Sequence, residues 1–271
     1  MKTIISVIAI LASFSLYAGE YTDVRNLTLD ANDLKSFKAD VSSGYFRVTG
    51  SDEIDQILVK ATVRVETSWT FDNDDAEEYV KDKLILKLEE QGSLGKLEVN
   101  FGSSLLSFSN RNHSVDLDIT LPSNLFLDIQ DSSGSILVNS MKHGVLIDDS
   151  SGSVGLSNII GNVDIKDGSG SLKIKKITGN LTIDDGSGSI TINNVEGDIN
   201  IEDGSGSIVV NDVIGSVNVD DGSGSINVNR VSKDFVLVDD GSGRVSIAGI
   251  EGKVKGYGKH KSNRKNRYKL Q

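Results

Sequence analysis

The chain has 271 residues, a formal net charge of −11, no cysteine, one proline and 28 glycines. Without cysteine it can form neither a disulfide framework nor a thiolate site for metal or redox chemistry. Abundant glycine and scarce proline suit stacked β structure, because glycine opens tight turns whereas proline removes a backbone donor from the ladder.

Residues 1–18 are predicted to be a signal peptide. Lys2 precedes a short apolar run at residues 4–14, and Ala18 supplies the small residue at the cleavage site. The run is too short to span a bilayer, and no later segment is apolar enough to do so. We therefore expect an exported protein without a transmembrane segment, located in the periplasm, at the cell surface or outside the cell.

Residues 19–125 are predicted to form a less regular β-rich region that is continuous with the repeats that follow. Alternating apolar and polar residues indicate strands at 45–48, 57–65, 84–88, 97–101 and 114–121. The acidic segment 74–82 is predicted to be one short helix that begins at Asp72 or Asn73. The single tryptophan, Trp69, is expected to have a packing role and not to bind a ligand.

Residues 126–254 contain one 18-residue unit in seven copies. Every copy carries a DSSGS, DGSGS or DGSGR phrase, and its aspartates are Asp131, Asp149, Asp167, Asp185, Asp203, Asp221 and Asp240. Five apolar positions recur between the phrases, in stretches that alternate apolar with polar residues, which indicates strands. One extra residue lies between Val231 and Asp240, and a bulge is predicted near Lys233.

A single unit cannot fold by itself. Each of its five aliphatic side chains contributes about 1.5–3 kcal/mol when buried, whereas ordering the backbone costs about 1–2 kcal/mol per residue. Stacked units bury their apolar columns against one another and pair their backbones, so the array is stable only as a whole. The sequence therefore predicts an all-β fold, a parallel β-solenoid with one 18-residue coil per repeat.

Three sequence features together resemble a known family. They are DLDITLP at 116–122, LFLDI at 125–129, and the serial SSGS and DGSGS phrases with their aliphatic columns; SSGYFRV at 42–48 fits the same pattern. The sequence is similar to the bacterial putative adhesin family of the DUF4097 type over nearly all of the chain after residue 18. The resemblance implies a right-handed solenoid, a cell-envelope setting and no catalytic residues, and the adhesin role itself is an analogy.

The stacked coils are expected to bring the aspartates of the repeat phrases into one row, with neighbours about 4.8 Å apart. In one interpretation each carboxylate caps its own turn by accepting backbone N–H groups. In the other, the row binds Ca²⁺, which prefers carboxylate and carbonyl oxygens. The candidate calcium ligands are Asp131, Asp149, Asp167, Asp185, Asp203, Asp221 and Asp240. No other cofactor is expected.

Residues 255–271 form a basic C-terminal tail. It has few apolar residues, so it is predicted to be mobile and either solvated or in contact with an anionic partner. The candidate contacts are Lys259, Lys261, Arg264, Lys265, Arg267 and Lys269.

Catalysis has little support in the sequence. The only histidines are His113, His143 and His260, and no pattern of nucleophile, base and acid accompanies them. The predicted function is that of a non-enzymatic exported envelope or surface protein, an adhesin or scaffold. Its expected partner is an envelope or surface component such as a polysaccharide, with self-association through the solenoid ends and no binding of nucleic acid. The alternative is a calcium-binding carbohydrate-recognition module or a polysaccharide lyase-like β-helix.

Overall fold

The computed structural model describes residues 19–102, 112–256 and 269–270. The predicted signal peptide and most of the basic tail therefore lie outside the described residues. Within them, one helix, α1 (Asn73–Lys83), accompanies two long sheets, which we call sheet A and sheet B.

Sheet A has twelve strands in the spatial order β1 (Glu20–Asp30), β4 (Gln56–Glu66), β7 (His113–Pro122), β3 (Tyr45–Ser51), β9 (Gly134–Asn139), β11 (Gly152–Ile160), β13 (Gly170–Thr178), β15 (Gly188–Glu196), β17 (Gly206–Ile214), β19 (Gly224–Val231), β21 (Gly243–Ile250) and β23 (Lys269–Leu270). Sheet B has eleven strands in the order β22 (Val254–Gly256), β20 (Phe235–Asp239), β18 (Val217–Asp221), β16 (Ile199–Asp203), β14 (Leu181–Asp185), β12 (Val163–Asp167), β10 (Val145–Asp149), β8 (Phe126–Asp131), β2 (Ser36–Val41), β6 (Leu94–Phe101) and β5 (Leu84–Gln91).

Each repeat contributes one strand to each sheet and pairs with the next repeat in parallel. In sheet A, Ile190 pairs with Leu172 on one side and Ile208 on the other. In sheet B, Ile183 pairs with Ile201 in the same way. The apolar columns lie inside the coils and form one continuous aliphatic core. The predicted parallel β-solenoid with 18-residue coils is confirmed.

The strands of sheet A bend at one position in each coil. Asn194, for example, has φ of 61°, and the equivalent residues of five other coils have φ between 56° and 63°. Asn193 and Asn194 both face outward, and the bend at Asn194 returns the next residue, Val195, to the core. This corner lets a third apolar column join the interior of the coil.

The N-terminal region contains the predicted strands and helix, and also β1 and β2, which the sequence did not predict. Asp72 caps α1, where its carboxylate accepts from the N–H groups of Asp74 and Asp75. The coil order differs from the chain order, because β2 lies between β6 and β8 while β3 lies between β7 and β9. The coil that β2 and β3 form is therefore first in the sequence but lies directly beside the repeat array in space.

Two local expectations were wrong. Trp69 is 96% exposed, at the tip of a tight turn that Ser68 and Phe71 close with two backbone hydrogen bonds, and Phe71 packs inward instead. The bulge lies beside Val238 instead of near Lys233, because the pairing of β18 with β20 shifts by one residue only after Leu237.

Candidate functional site

Six of the predicted aspartates form a buried row along the C-terminal ends of the strands of sheet B. In β16, Ile199, Ile201 and Asp203 alternate with outward residues, so the aspartate faces the interior at the end of the strand. The same placement recurs in each coil, and the six side chains are 0–6% exposed. They are Asp131, Asp149, Asp167, Asp185, Asp203 and Asp221.

The two carboxylate oxygens of each buried aspartate have different surroundings. Oδ1 accepts a hydrogen bond from the backbone N–H of the serine two residues later; for Asp203 the donor is Ser205, at 3.0 Å. The other five make the same bond at 3.0–3.2 Å. Oδ2 is buried in all six and has no hydrogen-bond partner among the described residues. The turn-capping interpretation is therefore confirmed for these six aspartates.

The six buried aspartates have pKa values above the ordinary value of an aspartate. Burial raises the pKa of Asp131 to about 7. It also raises the pKa of three further members to about 6: Asp149, Asp167 and Asp203. Neighbouring aspartates add to the increase, and the backbone N–H donors oppose it. A carboxyl that loses water without gaining a cation is expected to respond in this direction.

The seventh predicted member does not join the row. The register shift in β20 brings Asp239 to the capping position, where its Oδ1 accepts from the N–H of Gly241 at 3.1 Å. Asp240 is only half-buried.

Calcium binding by the row stays a prediction. Ca²⁺ takes about six to eight oxygens at about 2.3–2.6 Å. In the part of the chain that the structure describes, no group of three or more His, Asp or Glu side chains is arranged to hold a metal. Each coil offers one Oδ2 without a partner, since Oδ1 is used by the turn.

The outward faces of the two sheets differ in charge. Sheet B presents six acids and one lysine between β8 and β18: Asp128, Asp148, Asp164, Asp184, Glu202, Asp220 and Lys166. On sheet A, we consider the outward residues of β3 to β21 that precede the bend of each strand. Most of them are Ser, Thr or Asn. This surface, which we call the polar face, has four cations and no acid among its described residues: Arg47, Lys173, Lys175 and Arg244.

Side-chain ladders fix part of the polar face. The amide of Asn229 donates to Asn211, which in turn donates to Asn193, at 3.3 and 3.1 Å. The hydroxyl of Ser225 donates to that of Ser207 at 3.3 Å. Equivalent groups of successive coils therefore lie in ordered rows.

The remaining predicted site residues belong to the tail. Lys269 begins β23, which pairs with β21. The other five lie outside the described residues: Lys259, Lys261, Arg264, Lys265 and Arg267.

The sequence reasoning found one row of the polar face, the serine column from Ser135 to Ser225, but favoured its interpretation as hydroxyls that line a stack of turns, and it did not find the charge pattern. The signal was present, because the outward positions between the apolar columns of sheet A contain no acid although the chain as a whole is acidic.

A continuous aliphatic interior between stacked parallel strands defines this protein as a parallel β-solenoid. The chain belongs to the family described as Toastrack DUF4097, which matches residues 59–269. The resemblance found in the sequence is confirmed. No curated protein matches the chain.

Several solved structures are similar to this chain. A putative adhesin from Parabacteroides distasonis ATCC 8503 is 15% identical, with a TM-score of 0.55, over 87% of this chain and 95% of the other. A putative lipid binding protein from the same organism is 17% identical, with a TM-score of 0.46, over 88% and 94%. A putative adhesin from Bacteroides fragilis NCTC 9343 is 15% identical, with a TM-score of 0.40, over 86% and 94%. At this identity, the first of these structures shows a common fold.

Proposed function

We propose that this chain is an exported, non-enzymatic protein of the cell envelope or surface, and that its solenoid acts as an adhesin or scaffold. The observation that carries the proposal is the difference in charge between the outward faces of the two sheets. An acid-free face extends over eight strands on one side of a core whose other side is acidic. A surface of this kind orients the molecule toward a partner.

The solenoid suits a binding surface because it is ordered before it meets a partner. The strands under the polar face are in register, and their inward side chains are buried. Association therefore requires little additional ordering of the protein, which lowers the entropic cost of binding.

Two further observations support export and a surface role. Residues 1–18 have the pattern of a signal peptide, and the similar structure with the TM-score of 0.55 is called a putative adhesin. No helix in the described part of the chain is long and apolar enough to cross a membrane. The proposed partner is an envelope or surface component such as a polysaccharide.

Cell fractionation and envelope binding test the proposal. Cells that produce the full chain, or a variant without residues 1–18, are separated into cytoplasm, periplasm, surface and medium. The full chain is expected outside the cytoplasm in shortened form, and the variant inside it. The purified protein is expected to be retained on isolated envelopes. An uncleaved cytoplasmic chain, or a protein that envelopes do not retain, would contradict the proposal.

The alternative, a calcium-binding carbohydrate-recognition or lyase-like module, rests on the unpartnered Oδ2 atoms of the buried row. Thermal unfolding with Ca²⁺ and with a chelator separates the two functions. A higher midpoint in Ca²⁺ would favour the alternative, and equal midpoints would favour the scaffold. Self-association through the solenoid ends, which is part of the proposal, predicts a size-exclusion elution volume that decreases with concentration.

A further inference from the structure

The polar face contains a depression of about 700 Å³ that extends from β3 to β15. Gly155 and Leu137 form its floor. Gly155 has no side chain, and the side chain of Leu137 extends over it. Leu137 is 42% exposed, which makes it one of the few large apolar side chains open to solvent. Arg47 on one side and Lys173 on the other stand in the same row of paired residues as this floor.

The cations of the depression lie on two of its strands. Arg47 lies on β3, and Lys173 and Lys175 lie on β13, three strand spacings away. Three spacings correspond to about 14 Å. Tyr45 stands beside Arg47, and its hydroxyl accepts two hydrogen bonds from the guanidinium, at 2.7 and 3.0 Å.

Acidic groups are excluded from the lining. None of the residues that line the depression is Asp or Glu, although the chain has 39 of them. Asp118, on the neighbouring strand β7, is 3.6 Å from the Arg47 guanidinium, and both side chains are more than half exposed. Such an exposed pair contributes only about 0–1 kcal/mol, so Arg47 is available to an anion.

We propose that this depression binds an acidic polysaccharide, with one sugar carboxylate at Arg47, another at the two lysines and a sugar ring between them against Leu137 and Tyr45. This inference rests on the proposed function, because it names the partner of the polar face. Carboxylates suit the three cations, and aromatic and aliphatic side chains with a few polar groups are typical of small-molecule sites. The Ser, Thr and Asn rows beyond β13 offer donors and acceptors to further hydroxyl groups of an extended chain.

The charge pattern favours a glycan over nucleic acid. Duplex DNA carries one negative charge per about 1.7 Å and is bound by dense basic surfaces. The polar face has four cations spread over eight strands, which matches a polymer with sparse charges and many hydroxyl groups.

The test measures binding of the full mature chain to polygalacturonate, by calorimetry at low salt. The triple variant Arg47→Gln, Lys173→Gln, Lys175→Gln is expected to bind about 30-fold more weakly, since loss of each exposed cation costs about threefold. Dextran, a neutral polymer, is expected to bind much more weakly than polygalacturonate to the unaltered protein.

A second triple variant provides the control, with the same loss of charge at exposed lysines in α1 and on the side of sheet B: Lys35→Gln, Lys81→Gln and Lys166→Gln. It is expected to bind within about twofold of the unaltered protein, because exposed charges distant from the ligand are screened by salt. An equal loss in both triple variants would overturn the site, and so would unchanged binding by the first.

Two further comparisons separate the sources of binding. Stronger binding to polyphosphate or to phosphatidylglycerol vesicles than to polygalacturonate would overturn the sugar assignment. Loss of all polygalacturonate binding on deletion of residues 256–271, with no effect of the first triple variant, would assign binding to the tail. If envelopes retain the first triple variant as well as the unaltered protein, the proposed function stands and the depression is not the site.

Discussion

Replacement of Asp203 by Asn should make the solenoid less sensitive to pH. Asp203 is 5% exposed, its Oδ1 accepts from Ser205, and its Oδ2 has no partner among the described residues. Burial, with help from the charges of Asp185 and Asp221, raises its pKa from 3.8 to about 6. The folded state therefore binds this proton more tightly than the unfolded state does.

The sign of the pH effect follows from this difference. The stability that the protonated Asp203 contributes is fully present below pH about 3.8 and is lost as the pH rises through about 6. The whole difference corresponds to about 3 kcal/mol, of which about 2 kcal/mol is lost between pH 4.5 and pH 8. Asn keeps the Oδ1 acceptor for the turn and cannot ionise, so Asp203→Asn should avoid that loss.

Urea unfolding followed by circular dichroism at pH 4.5 and pH 8 measures the effect. Relative to the unaltered protein, Asp203→Asn should gain about 2 kcal/mol between the two pH values; any constant cost of the buried amide cancels in this comparison. Glu202→Gln removes the same charge from the exposed neighbouring position and should retain the original pH dependence. The reasoning fails if both variants show the same gain, or if neither shows one.

Three further substitutions test separate parts of the fold by urea unfolding or amide exchange. Ile183→Ala should lower stability by about 2–5 kcal/mol, because Ile183 is fully buried, whereas Thr182→Ala on the exposed side of β14 should change it little. Gly188→Ala should cost more than about 1 kcal/mol, because Gly188 has φ of 149° and a Cβ there meets the carbonyl oxygen of Gly170; normal stability would contradict the stacking. Asp72→Ala should cost about 1 kcal/mol and speed amide exchange in the first turn of α1, and unchanged exchange would contradict its capping role.

The repeat architecture could be predicted because burial imposes a strict pattern on each coil. Ile190 and Ile192 had to share one side of their strand, and the structure stacks each of them in its own column with its counterparts 18 residues away. The turn phrases could be interpreted for a similar reason, since Asp followed by Gly and Ser favours a capped turn.

Other features depended on local geometry that the apolar pattern does not specify. The corner at Asn194 follows from two consecutive polar residues, which interrupt the alternation, and this signal was not used. Burial of Asp203 continues the inward alternation of Ile199 and Ile201, although an acid at an interior position contradicts ordinary preference. Trp69 was expected to pack, whereas its four-residue turn leaves no interior side at the tip.

Engineered disulfides test the stacked register most directly, because the natural chain has no cysteine. Ser189 and Ser207 are paired neighbours in β15 and β17, and Ser225 is the next residue in the same row. Ser189→Cys with Ser207→Cys should form a disulfide on mild oxidation, because adjacent strands place the Cα atoms about 4.8 Å apart. Ser189→Cys with Ser225→Cys should remain reduced, at about twice that distance. A disulfide in the second pair and none in the first would contradict the stacking on which the core, the buried row and the polar face all depend.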